Sequence, residues 1–193
     1  MLFRSTVMAL VLATLIAFGP DVWRTFFASN QFARAALLET GDIGWHKMQS
    51  VFAWVRMWHG AVPLAYALQG AATLVVAAAL AWLWRSDASY ALKAAALPFA
   101  TILATPFSLD YDLMMLAPAI AFFAVDGLTR GFRAYEKTAL ALVWLVPLVA
   151  RGIAEISLLP LAVPAMALVF GLVLHRAATD SAPSGGGVLR PAA

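Results

Sequence analysis

The sequence predicts an all-α protein, a polytopic bundle of about six transmembrane helices with interfacial amphipathic helices in one long outer loop. Three observations carry that prediction. Of 193 residues, 63% are hydrophobic and only 12% charged, about half the charged share of a soluble globular domain. The apolar residues fall in long uncharged runs, as lipid-crossing segments require. The basic residues gather at the ends of those runs, where they orient helices. A net charge of +3 spread in this way offers no basic face for nucleic acid. The absence of cysteine excludes disulfides, thiolate metal sites and a cysteine nucleophile, and no metal site is expected.

The transmembrane domain is expected over residues 1–176, with spans near 5–22, 60–84, 92–109, 112–126, 137–151 and 156–175. The first run, 7–18, follows Arg4 and could pass for a secretory signal. Ala17-Phe18-Gly19 would suit cleavage, but Pro20 would directly follow the cut, so a retained helix is expected. Residues 60–84 form the clearest span, uncharged throughout and interrupted by one amide, Gln69. The run at 156–174 is the next clearest.

The middle is less regular. Residues 94–109 are uncharged, Asp110-Tyr111-Asp112 interrupts, and 113–125 follows. That run and 138–150, which stops at Arg151, would each rise only about 20 Å as helices, against about 30 Å of hydrocarbon. Short spans with charged ends, or a re-entrant pair around Asp110, both fit; length favours short spans. Alternating spans place Arg4, Arg85, Lys93, Arg130, Arg133, Lys137, Arg176 and Arg190 in the cytoplasm. Arg24, Arg34, Lys47, Arg56 and Arg151 fall outside, mostly in the long loop, so the short loops obey the positive-inside bias.

The outer loop, 20–59, carries helix signals of its own. Pro20-Asp21 suits a helix start, and Gly41 and Gly44 separate two candidate helices. In the second, Met48, Val51, Phe52, Val55 and Trp58 form an apolar stripe, with His46, Gln49, Ser50 and His59 largely off it. Trp45, Trp54 and Trp58 suit the headgroup boundary, so an amphipathic helix in the outer interface is expected. Residues 177–193, rich in Ser, Pro and Gly, are expected to be a disordered cytoplasmic tail.

Several residues could carry chemistry. Asp110 and Asp112 are ionisable groups near membrane depth, just past the helix-loosening Thr105-Pro106. They fit either a polar cavity or a solvated turn, and their spacing of two does not make a chelating pair on an ideal helix. Arg151 and Glu155 stand at i, i+4 and are expected to pair, or Arg151 to face a lipid phosphate. His46, Lys47, Gln49 and Arg56 fit an interfacial polar face or a site for a pyrophosphate-like head group. Arg130, Arg133 and Lys137 are expected to be topology charges. No phosphate loop, zinc-protease helix or nucleophile elbow occurs.

Three stretches carry a family resemblance: 46–52 with Arg56, Tyr66-Ala67-Leu68-Gln69-Gly70, and Thr105-Pro106 through Asp110-Tyr111-Asp112. Together, from about 20 to 175, the chain resembles the C-terminal part of bacterial glycosyltransferase family 87 proteins, polyprenyl-phosphate-mannose-dependent mannosyltransferase-like enzymes of the GT-C class. The resemblance implies a multi-pass protein of the bacterial inner membrane. It would transfer a hexose such as mannose from a polyprenyl-phosphate carrier to a lipid or glycan acceptor on the outer face. The implied donor is the lipid-linked sugar, with no further cofactor, and the implied partners are membrane lipid and that donor. Such enzymes use an aspartate general base in an earlier outer loop. No position here matches it, so no catalytic residue is assigned, and an inactive fragment is one expectation. The carrier-binding candidates are His46, Lys47, Gln49, Arg56, Asp110, Asp112 and Arg151. A small transporter or scaffold with ion-coupling intramembrane carboxylates is the alternative from another class.

Overall fold

The computed structural model describes residues 2–180. It divides into two compact units, one up to Ile43 and one from Gly44. Among the described residues the structure is helical throughout, and its one extended pairing is an antiparallel bridge between Met48 and Leu109.

In the first unit, α1 (Leu2–Phe18) is apolar and α2 (Asp21–Ala33) is amphipathic, with Trp23, Phe26 and Phe27 clustered on it at centroid separations of 5.7 to 6.4 Å. Gly19 takes a positive φ of 74° and closes α1, since only glycine adopts that turn without strain. Pro20 then starts α2, and the chain turns by 106° between Phe3–Phe18 and Asp21–Glu39. A π-helical turn, Arg34–Glu39, follows.

The second unit holds a short helix, α3 (Val51–Met57), and five longer ones: α4 (Val62–Arg85), α5 (Tyr90–Ala104), α6 (Leu116–Arg130), α7 (Glu136–Ser157) and α8 (Ala162–Asp180). Single 3-10 turns at Trp45–Lys47 and Asp110–Met115 precede α3 and α6. The central helix is α5, which packs on α4, α6 and α8. Leu92, Phe99, Leu116, Phe123, Val143, Met166 and Val173 fill the space between them with no exposed surface to speak of. By contrast α4 turns most of its apolar surface outward, as a helix bathed in lipid does.

A buried ion network closes the end where α6 and α8 finish and α7 begins. The Arg176 guanidinium, 2% exposed, lies 2.7 Å from Asp126 and 2.7 Å from Glu136. Arg130 also pairs with Asp126 and Asp180, Arg133 with Asp180, and Ser89 donates to Asp126 at 2.6 Å. The charges at Arg130 and Arg133, read from sequence as topology markers, are therefore also structural partners. Lys137 stands over the Phe132 ring at 5.1 Å.

The span boundaries differ from those expected. Among the described residues, four helical stretches are long and apolar enough to cross a bilayer: Val62–Arg85, Asp110–Arg130, Glu136–Ser157 and Ala162–Asp180. The bent pair of α1 and α2 makes a fifth if it is one span, and α5 is a shorter apolar helix beside them. The stretch after Asp110 reaches span length because the 3-10 turn runs straight into α6. The helix from Glu136 runs through Arg151 to Ser157, because a half-exposed arginine can snorkel from a helix flank without breaking it. The last span starts at Ala162, not 156, since Leu158 turns at a φ of 57° and Pro160 follows. The first helix stops at Phe18, before 22, at Gly19. Finally, α8 continues to Asp180, so 177–180 is helix; residues 181–193 of the expected tail lie outside the described residues.

Candidate active site

The candidate residues converge through the backbone. After the Trp45–Lys47 turn the chain runs extended through Met48, which pairs with Leu109. There the Gln49 N–H donates to the Ser108 carbonyl at 2.7 Å. Non-helical backbone inside a membrane bundle must be satisfied by protein, and this pairing does so. Thr105-Pro106 ends α5, leaving its last carbonyls without helical donors. Two α4 side chains supply them: Gln69 Nε2 donates to Leu103 at 3.0 Å and Thr73 Oγ1 to Ala104 at 2.9 Å. Gln69 Oε1 in turn accepts the Phe52 N–H at 3.1 Å, at the start of α3, where Ser50 Oγ accepts from Ala53.

Gln69 lies seven residues into α4 and Arg151 six residues before the end of α7, about 9–11 Å of helix from those ends. Lys47 and His46 are half-buried. Arg56, on α3, donates to the Gly60 carbonyl at 2.6 Å and stacks over Trp45 at 4.6 Å. Trp58 Nε1 donates to the Leu158 carbonyl at 3.1 Å, tying the top of α3 to the corner between α7 and α8.

The two aspartates have different surroundings. Asp112 caps its own turn, accepting the Leu109 N–H at 2.8 Å. Asp110 accepts the Tyr111 N–H at 3.0 Å with one oxygen, and its other oxygen lies 3.6 Å from Arg151 Nη1. The expected partner of Arg151 was Glu155, four residues on; the partner found is Asp110, because the 3-10 turn climbs alongside α7, and Glu155 is exposed. Gln49 is also unlike its expectation. It is fully buried, with Oε1 accepting the Ala162 N–H at 3.3 Å and Nε2 reaching the His46 carbonyl at 3.4 Å. Met48, Gln49 and Ser50 are all buried, so the expected surface helix over 45–59 is instead a buried turn followed by seven helical residues.

Sequence reasoning passed over Ser108, whose buried Oγ has no hydrogen-bond partner, and over the clamp made by Gln69 and Thr73. A lone amide in an otherwise apolar span was the available signal for the latter. Of the candidate cations, Arg151 lies 3.6 Å from Asp110, and the Met48–Leu109 bridge sets the segment that carries Lys47 beside the one that carries Asp110.

The sequence model of glycosyltransferase family 87 matches residues 3–106, just over half of the chain. The chain belongs to glycosyltransferase family 87. No curated protein and no solved structure matches it. The family match starts earlier than the resemblance from about 20 to 175 and ends sooner. It takes in Lys47, Arg56, Gln69 and Thr105-Pro106, while Asp110, Asp112 and Arg151 lie beyond it. As a family 87 glycosyltransferase, the protein is a multi-pass membrane transferase.

Proposed function

We propose that the protein binds a hexose, such as mannose, linked to a polyprenyl phosphate, and serves its transfer to a lipid or glycan acceptor on the outer face of a bacterial inner membrane. The observation that carries this reading is the Met48–Leu109 pairing. It brings a segment with Lys47 and Arg56 against one with Asp110 and Asp112, inside a family of glycosyltransferases. A lysine and an arginine on that segment suit a phosphate held at the membrane surface. Aspartates beside them suit sugar hydroxyls, which donate to carboxylates. Only the acids' surroundings bear on the ion-coupling alternative, and both are held at a helix start by backbone N–H groups, a structural arrangement that favours the transferase reading.

The test is retention of a radiolabelled polyprenyl-phosphate hexose by the full chain in nanodiscs, together with transfer of label to membrane lipid or glycan. Wild type should retain the carrier, and Lys47→Ala should weaken retention about tenfold, the value of one charged hydrogen bond. Retention equal in wild type, in Lys47→Ala and in empty nanodiscs would remove the reading.

A further inference from the structure

Two apolar grooves lie among the helices of the second unit. One, of about 390 Å³, runs between α3 and α4 beside Trp54, Trp58, Leu64 and Leu68. The other, of about 250 Å³, runs between α6 and α7 and is lined by Met114, Ala117, Ile120, Trp144, Pro147 and Leu148. Both are open to lipid, so apolar character alone does not choose between them.

The arginine next to each lining does. Arg56, following Val55 of the first, is engaged by the Gly60 carbonyl at 2.6 Å and by the Trp45 face. Arg151 stands one helical turn beyond Pro147 and Leu148 of the second. Its side chain is 53% exposed and its contact with Asp110 is 3.6 Å, too long for a good hydrogen bond. A phosphate offers a guanidinium two oxygens in matching geometry, which a carboxylate at that distance does not. Pro147 also withholds an N–H from the helix at this point and leaves α7 locally looser along the groove wall.

Resting on the lipid-linked donor reading above, we propose that the α6–α7 groove seats the hydrocarbon chain of the polyprenyl phosphate, with the phosphate taking Arg151 in exchange for Asp110. No bond is made or broken in that exchange; one ion pair replaces another. Arg151, Met114 and Trp144 thereby become ligand contacts beyond the stretch that matches the family.

The experiment uses the full chain in phosphatidylcholine nanodiscs and a polyprenyl phosphate carrying a photoactivatable group in its chain, with labelled peptides mapped by mass spectrometry. Saturable labelling is expected on 113–120 and 143–148. Polyprenyl phosphate should compete and the uncharged polyprenol should not. Arg151→Gln should lower labelling about tenfold, and Ala117→Phe, which fills the groove from an exposed position, should block it. Asp110→Asn should leave labelling equal or stronger, because the competing carboxylate is gone; a merely structural ion pair would lose in both variants alike. Saturable labelling on 51–68 would overturn this groove while leaving the donor reading in place. Equal competition by the alcohol, or labelling unchanged in Arg151→Gln, would overturn the exchange at Arg151. Unsaturable labelling over every lipid-facing helix would remove both proposals.

Discussion

Gln69 Nε2 donates to the Leu103 carbonyl at 3.0 Å, joining two helices across 34 positions of sequence. The same amide accepts the Phe52 N–H, so one side chain satisfies the end of α5 and the start of α3 together. Replacing Gln69 by Leu leaves a buried donor and a buried acceptor unpaired, each costing about 1–3 kcal/mol. Gln69→Leu should therefore lower stability by about 2–6 kcal/mol, read as a shift in the unfolding midpoint in detergent. Thr73→Val, which releases the Ala104 carbonyl and removes the hydroxyl beside Gln69 Nε2, should cost about half as much.

Arg176 is the hub of the opposite end. Removing it takes the buried cation from Asp126 and Glu136, both buried to within 2% of complete, and leaves Glu136 only the Arg133 N–H. Breaking a buried pair in this way costs about 3–5 kcal/mol, whereas replacing all members by apolar residues is often neutral. Arg176→Met should thus be more destabilising than the triple variant Asp126→Leu, Glu136→Leu, Arg176→Met. Equal losses would mean that Arg130, which also pairs with Asp126, holds the network without Arg176.

Gly127 faces Phe132 so closely that a Cβ there would fall 2.3 Å from the ring. Gly127→Ala should cost about 1–3 kcal/mol, the usual penalty of overpacking. Phe132→Ala in the same chain should recover part of it, a coupling that a double-mutant cycle measures.

How much of this was legible in the sequence depends on distance along the chain. The helix at Val62–Arg85 could be read directly, because hydropathy is local and no tertiary contact is needed to see it. The helix start at Asp21 was likewise visible in Pro20 and an acidic first turn. Gln49 was misread as a surface polar group, since the apolar stripe of Met48, Phe52 and Val55 says nothing about partners approaching from the other side. The extended segment at Ser108 and the start of α8 cover it. Arg151 went to the wrong carboxylate for the same reason: i, i+4 spacing sees Glu155, while Asp110 arrives from 41 positions away. The ion network escaped altogether, because Asp126, Glu136 and Arg176 are separated by turns whose geometry no pattern encodes.

Leu158 ends α7 at a φ of 57°, in the left-handed region where a branched side chain is strained. Its side chain is 41% exposed, so little apolar burial would be lost on truncation. Its backbone carbonyl accepts from Trp58 Nε1, a contact that the substitution leaves in place. Leu158→Gly should therefore stabilise the protein by about 0.5–1 kcal/mol despite the added freedom of the unfolded chain. Trp58→Phe should lose about 1 kcal/mol by removing the donor alone. Because the carbonyl and the indole are partners, that loss should be the same in the Leu158→Gly background, and unfolding midpoints of the two single variants and the double variant would show it. A loss that vanishes in the double variant would mean that glycine has released the corner, and with it the tie between α3 and the end of α7.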